Sequence, residues 1–428
     1  MRSVAISSGN NIKVMVERCL TNLGGLNQII RPDQTVFIKP DLSLPLGPPI
    51  TIHPQILGYI VKSCIDLGAK EVYIGFNPFD GISSDQLLTL LGLKYYLTEL
   101  NATLLNLEQE KFISVEISDP IYFETLYVPE KLMKSDVLIS LVAPRTDVFG
   151  EYALGVKNYF GLLNDEQKQQ ILRTGTINGL LDYFKIKPPQ LTIWDAMIIG
   201  EGQGPFNQRA VSYNLLLSST DLIVGDSVIA RLMGLNPLQS ELFKLVVDRH
   251  LGTIESDHIT IIGDELPNGN PIQKATILTR DFSEQFEIIE GDTCPGCRIC
   301  LQYLLDFLLR FIKKDLREFG GFSIFLGKLP SDIKYKLKTG VLIFGNCALS
   351  SNFHIEFKNK TQKKKQFFTF PGCPPLNLRL VEKFCLNFKE WLPSLEIIEE
   401  FVRNWTKGRR YISLTASPKL VSSKRKGD

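Results

Sequence analysis

The chain has 428 residues, too many for one ordinary core and suited to two or three domains. Hydrophobic residues make up 44% and charged residues 22%, the profile of a globular protein in water. The net charge of +2 creates no global field for nucleic acid or an anionic membrane, so neither is an expected partner.

Met1-Arg2-Ser3-Val4-Ala5-Ile6-Ser7-Ser8-Gly9 lacks the apolar run of a signal peptide, and the expected location is cytoplasmic. A helix is predicted over 11–23, then a buried strand over 35–39 and a helix over 54–67 that Gly68 stops. A strand at 71–75 precedes a helix at 84–99, a strand at 137–141 and a helix at 165–184. Strands at 191–194 and 222–225, a helix at 239–250 and a strand at 259–262 follow. Short β-branched runs separated by helical segments indicate an α/β fold with a mainly parallel sheet. A boundary falls near 285–293, giving an N-terminal α/β domain at 1–288, a smaller α/β cysteine module at 289–415 and a basic tail at 416–428. Within the module the pattern predicts a helix over 301–319 and strands over 322–326, 341–344 and 366–370. Helices over 377–391 and 396–406 complete it. The apolar stretch 304–312 contains Asp306 and Arg310 and is too short to cross a bilayer.

Six of the eight cysteines lie between residues 294 and 385. In a reducing compartment such clustering points to metal or redox chemistry rather than disulfides. In Cys294-Pro295-Gly296-Cys297 a turn pair directs two sulfurs into one site. Cys347, two residues after Gly345, and Cys373, directly after Gly372, each lie just past the end of a predicted strand. If those strands are parallel neighbours, both thiolates emerge at the sheet edge where α/β proteins place ligands. Glycine there lets backbone approach a bulky centre, and Pro374 or Pro375 suits the first turn of a helix aimed at it.

Four thiolates can hold zinc or an iron–sulfur cluster. Structural zinc sites usually pair two C-x-x-C knuckles, whereas this pattern joins one pair to two single cysteines and ends in Cys-Pro. The preferred cofactor is therefore a [4Fe–4S] cluster on Cys294, Cys297, Cys347 and Cys373, with zinc as the alternative metal. Cys300 extends the C-x-x-C spacing and competes with Cys347 as a ligand. Cys19, Cys64 and Cys385 read as core residues.

Several further motifs together resemble the uncharacterised family numbered 362 among the domains of unknown function. They are Ile38-Lys39-Pro40-Asp41-Leu42, Thr51-Ile52-His53-Pro54 and Gly155-Val156-Lys157-Asn158-Tyr159-Phe160-Gly161. Trp194-Asp195-Ala196-Met197 with Glu201-Gly202-Gln203-Gly204-Pro205 matches the family's signature, and Asp221 and Asp226 match its following strand. The chain departs from the family at Asp41, where asparagine is usual. The resemblance covers most of residues 1–285 and implies an α/β fold and iron–sulfur association, without supplying a reaction.

Lys39, Asp41, Asp195 and Glu201 are expected at strand carboxyl ends, and Lys157 with Asn158 in a loop. An α/β active site collects charge at such places. Lys39 and Lys157 are candidates to bind a carboxylate or phosphate, and Asp195 and Glu201 to act as base or metal ligand. Asp195 could instead cap a helix, Glu201 could be a surface residue, and His53 fits a capping role equally well. Nucleotide-binding and serine-hydrolase fingerprints are absent. The basic run at 358–365 is a solvated loop or a docking patch for an acidic electron carrier such as a ferredoxin.

Three functional readings result. The first is an iron–sulfur oxidoreductase coupling the cluster to an acidic small molecule. The second is a binding or scaffold protein with a structural metal, and the third is a lyase or isomerase using the cluster as a Lewis acid.

Overall fold

The computed structural model describes residues 2–44, 47–79, 82–267, 284–330, 336–351, 367–375 and 377–388; at 309–317, 378, 382, 385 and 386 it describes the backbone alone. The basic run at 358–365, the helix expected at 396–406, the tail and the Cys385 side chain lie outside what is described.

The chain is α/β and builds two main sheets. The strands of the larger one are β1 (Arg2–Ser8), β2 (Thr35–Pro40), β3 (Glu71–Phe76) and β4 (Thr103–Asn106) from its first part. A separate hairpin, β5 (Phe112–Glu116) and β6 (Thr125–Pro129), follows. The large sheet then adds β7 (Val137–Val142), β8 (Arg145–Thr146), β9 (Tyr152–Ala153), β10 (Leu191–Gln203), β11 (Asn207–Ser219) and β12 (Ile259–Gly263). Its order is β12-β1-β11-β10-β7-β2-β3-β4, with β8 and β9 attached beside β10. All these pairings are parallel except β1–β11, β10–β11 and β8–β9.

The second sheet is wholly parallel, in the order β13 (Phe286–Glu290), β14 (Phe322–Leu326), β15 (Gly340–Phe344) and β16 (Phe367–Phe370). It begins inside the stretch where the sequence places a domain boundary. The helix Pro295–Phe319 joins the sheets, burying Ile299, Leu301, Leu305 and Leu308 in a core continuous with Phe37, Ile74 and Trp194. Burying such residues at a shared seam gives the seam a defined shape, because protein interiors are close-packed. Among the described residues no helix is long and apolar enough to cross a membrane.

Several expected elements differ in the structure. Residues 222–225 open the helix Leu222–Leu232 instead of forming a strand. Asp221 caps it, its Oδ1 accepting from Val224 N at 3.1 Å. The helix is buried nearly all round, and such a helix shows the same unbroken apolar run as a buried strand. The helix expected at 84–99 is two, Ser84–Leu90 and Lys94–Glu99, separated at Gly92 with φ +70°. The one expected at 165–184 is likewise Asp165–Thr174 and Leu180–Ile186, the first ending on Gly175 with φ +74°. Pro374 and Pro375 precede rather than open the helix Leu378–Asn387, whose start is marked by Asn377 Oδ1 accepting from Arg379 N at 2.9 Å.

Candidate functional site: a basic cavity beside converging cysteines

The carboxyl ends of β2, β3 and β7 open on one charged pocket. Lys39 is the penultimate residue of β2, and Asp41 follows it, bonded through its backbone N–H to Leu141 O at 2.8 Å. Asn158 braces this edge by donating to Ser140 Oγ at 2.9 Å and to Lys39 O and Leu141 O at 3.2 Å, and by accepting from Lys39 Nζ at 2.7 Å. It lies with Lys157 in a short helix, Gly155–Asn158, and not in a loop.

Arg145 pairs with Asp41 at 2.6 Å and Lys157 with Asp147 at 2.8 Å. Lys168 pairs at 3.4 Å with Asp165, whose side chain is 78% exposed. Lys39 makes no ion pair among the described residues; its Nζ donates to Pro40 O at 2.9 Å and to Asn158. Burial lowers its pKa to about 8, although Asp41 pulls in the opposite sense. Burial likewise holds Lys157 below the usual lysine range.

These groups line two adjoining chambers. The outer one, about 190 Å³, is walled by Arg145, Lys157, Lys168, Phe149, Tyr303 and Pro374. The inner one, about 90 Å³, is reached by Lys39, Asp41, Arg145, Lys157 and Asn158. Four cations thus face the buried Asp147, the partly buried Asp41 and the exposed Asp165, an excess that favours an anionic guest.

Asp195 and Glu201 line neither chamber. Both are buried within β10, which runs nine residues beyond the strand expected at 191–194, so Asp195 lies in mid-strand while Glu201 stands two residues before the strand's carboxyl end. Asp195 accepts from His53 N at 2.8 Å and Met197 N at 3.2 Å, and burial raises its pKa to about 6. Glu201 faces Arg209 across the β10–β11 ladder and pairs with it. His53 caps the helix Pro54–Asp66, its Nδ1 accepting from Gln55 N at 3.2 Å. Asp226 holds Gly155 N, Val156 N and Trp194 Nε1 from within its helix.

The second sheet delivers the cysteines to its own carboxyl edge. β13 leads into Cys294 and Cys297, β15 into Cys347 and β16 into Cys373. β15 and β16 are parallel neighbours with Phe344 opposite Phe370, so Cys347 and Cys373 leave the same edge. Gly345 N donates to Phe370 O at 2.8 Å, Asn346 N to Gly372 O at 2.9 Å, and Gly372 N to Asn346 Oδ1 at 2.8 Å. Gly345 has φ +90°, and a Cβ there would stand 3.0 Å from Cys297 Sγ, so a side chain would crowd the sulfur.

Burial pushes the Cys297 thiol up to about 12, with Cys294, Cys373 and Cys347 adding to the rise. Those three sulfurs are therefore its electrostatic neighbours. Cys300, 2% exposed, contributes instead to an apolar pocket with Phe79, Phe206, Tyr303, Leu304 and Phe370. Among the described residues no three Cys, His, Asp or Glu side chains stand close enough to grip a single ion. The donor set is nevertheless sulfur throughout, with a backbone cradle at Gly345, and this chemistry fits a thiolate-bound centre. Arg173 reaches the same place, its Nη2 3.3 Å from Cys373 Sγ.

The sequence reading missed Arg145, Asp147, Lys168, Arg173 and Tyr303. Arg145 and Asp147 follow the end of β7, so the strand-end rule applied to Lys39 would also have found them. Tyr303 is hidden in an apolar helix pattern and carries no local signal.

Residues 36–231 match the family described as a domain of unknown function (DUF362). The thylakoid-associated protein sll1697 of Synechocystis sp. is 24% identical over 247 residues, 55% of this chain and 74% of that protein. Among solved structures, the lactate racemase apoprotein from Thermoanaerobacterium thermosaccharolyticum is 12% identical, with a TM-score of 0.36 over 96% of this chain and 92% of that one. A Thermotoga maritima protein is 10% identical, with a TM-score of 0.38 over 87% of this chain and 99% of that one.

Proposed function

Starting from residues 36–231 as a DUF362 domain, we propose that this protein is an iron–sulfur oxidoreductase acting on an acidic small molecule. Cys294, Cys297, Cys347 and Cys373 would hold a [4Fe–4S] cluster, which when bound supplies or accepts electrons. Arg145, Lys157 and Lys168 would bind the anion and fix its orientation. Phe149, Phe160 and Tyr303 would limit water around it, which strengthens the charge contacts.

The observation that supports this reading is a shared wall. Pro374, bonded to Cys373, lines the outer chamber together with Arg145 and Lys168. Tyr303, six residues along the helix from Cys297, lines it too. A molecule held there would lie beside the cysteine edge, where electron transfer needs little reach.

The test is anaerobic purification, followed by iron and acid-labile sulfide analysis, a visible spectrum and calorimetry with oxalate as a probe anion. A brown protein that dithionite bleaches, and that binds oxalate through Lys168, meets the expectation. A colourless protein with one zinc per chain would leave the scaffold reading in its place. A cluster that resists dithionite would favour the Lewis-acid reading.

A further inference from the structure

Anion binding and electron transfer leave one group of the inner chamber without a task. Lys39 is 5% exposed, yet it lines that chamber. Both hydrogen-bond acceptors of its Nζ, Pro40 O and Asn158 Oδ1, are neutral. Two N–H bonds are thereby fixed, and a tetrahedral nitrogen has one direction more. In the ammonium form that direction carries a third proton; in the amine it carries the lone pair.

The space over this nitrogen depends on Gly161. A Cβ at that position would stand 3.2 Å from Nζ and 3.1 Å from Cε, so any side chain would occupy the approach. With a pKa of about 8, set by burial, opposed by Asp41 and helped by Arg145 and Lys168, the amine is uncharged in roughly a tenth of molecules at neutral pH. Arg145 lines both chambers. Its Nη1 serves Asp41 and Ala143 O, but its buried Nε–H has no acceptor among the described residues. Buried donors of this kind ordinarily meet a partner. The site therefore combines an approachable amine with a guanidinium that lines both chambers.

We propose that the inner chamber captures a small 2-oxo acid, Lys39 forming an imine with its carbonyl carbon while Arg145 holds its carboxylate. This rests on the anion-binding part of the proposed function and is independent of the metal centre. The Lys39 lone pair attacks the carbonyl carbon and the C=O π pair moves to oxygen. The oxygen then leaves as water with the two protons that the amine gives up, and C=N forms. The step is a condensation and needs no oxidant or reductant. Asn158, which accepts from Nζ, would position the amine during attack.

The experiment uses full-length protein with glyoxylate, the smallest oxo acid, and cyanoborohydride, which reduces an imine to a stable carboxymethyl-lysine. Peptide mapping then gives the rate at each lysine. The expected result is modification of Lys39 roughly tenfold or more faster than of any surface lysine, as its larger uncharged fraction requires, with oxalate protecting it. The Lys39→Arg variant should bind oxalate and lose the fast-labelled peptide. Oxalate binding without preferential Lys39 labelling in the parent protein overturns the imine and leaves the anion cavity standing. Absence of both oxalate binding and labelling overturns the cavity reading as well. Because the mapping uses the parent protein, its outcome does not depend on how the variant folds.

Discussion

The Tyr303 hydroxyl donates to Asp147 Oδ1 at 2.7 Å, and Asp147 is also the partner of Lys157 at 2.8 Å. The helix that starts at the cysteines is thus pinned to the charged wall of the cavity. Asp147 receives a further bond from Phe149 N at 2.8 Å. Removing Tyr303's hydroxyl in Tyr303→Phe leaves the carboxylate with two donors and should cost about 0.5–1.5 kcal/mol. Asp147→Asn leaves the Lys157 ammonium buried without its counter-charge and should cost about 3–5 kcal/mol. Urea unfolding followed separately by fluorescence and circular dichroism measures both. Equal losses would contradict this ordering.

Lys39 gives a pH-dependent prediction. Below pH 8 it is protonated in the folded and unfolded chain alike, and the folded state carries the full penalty of burying the charge. Between about 8 and the ordinary 10.5 the unfolded chain keeps a proton that the folded chain has released, so this group's contribution to stability rises with pH. That interval corresponds to roughly 3 kcal/mol. Lys39→Met removes the titration while Asp41, Arg145 and Lys168, the charges acting on it, stay in place. The stability of the Met variant relative to the parent should therefore fall by up to about 3 kcal/mol between pH 7 and pH 10.5. Denaturation midpoints across that range provide the measurement, and a constant difference would show that Lys39 titrates normally.

How much of this was legible from sequence depends on the range of each signal. The strands at 35–39, 71–75 and 137–141 and the strand ends carrying Cys347 and Cys373 were readable because pattern and glycine placement are local. Lys39 and Lys157 were found for the same reason, and both line the cavity. Asp195 was misplaced because β10 continues to Gln203 through its pairing with β11, across a register shift between Ala196 and Ile198, and that partner is distant information. The helix at Leu222–Leu232 was missed because total burial erases helical periodicity. Tyr303 became a cavity residue only through the docking of its helix, which no short window of sequence encodes.

The cysteines divide into two groups with different expected phenotypes. Alanine at Cys294, Cys347 or Cys373 should reduce iron and labile sulfide to near background. Cys300→Ala should retain them, because Cys300 lines an apolar pocket with Phe206 and Leu304. Filling that site with alanine removes a small buried group and should cost only about 1 kcal/mol. Metal analysis of anaerobic protein distinguishes these outcomes. Loss of iron in Cys300→Ala with retention in Cys347→Ala would exchange their roles.

Arg173 links the segment that matches the DUF362 model to the cysteine edge, with Nη2 3.3 Å from Cys373 Sγ and 3.5 Å from Cys373 O. Its charge and hydrogen bond would stabilise a sulfur-ligated centre most when that centre is reduced, since reduction adds negative charge. In iron-loaded protein, Arg173→Gln should therefore lower the reduction potential. A tenfold loss of differential stabilisation is about 59 mV for a one-electron couple, which sets the scale of the expected fall. Arg173→Lys keeps the charge without the planar fork and should give a smaller fall. A spectroscopic redox titration measures both, with iron content checked first so that loss of the centre is not mistaken for a change in its potential. Unchanged potentials at full iron content would show that Arg173 acts only as a structural brace on the Cys373 turn.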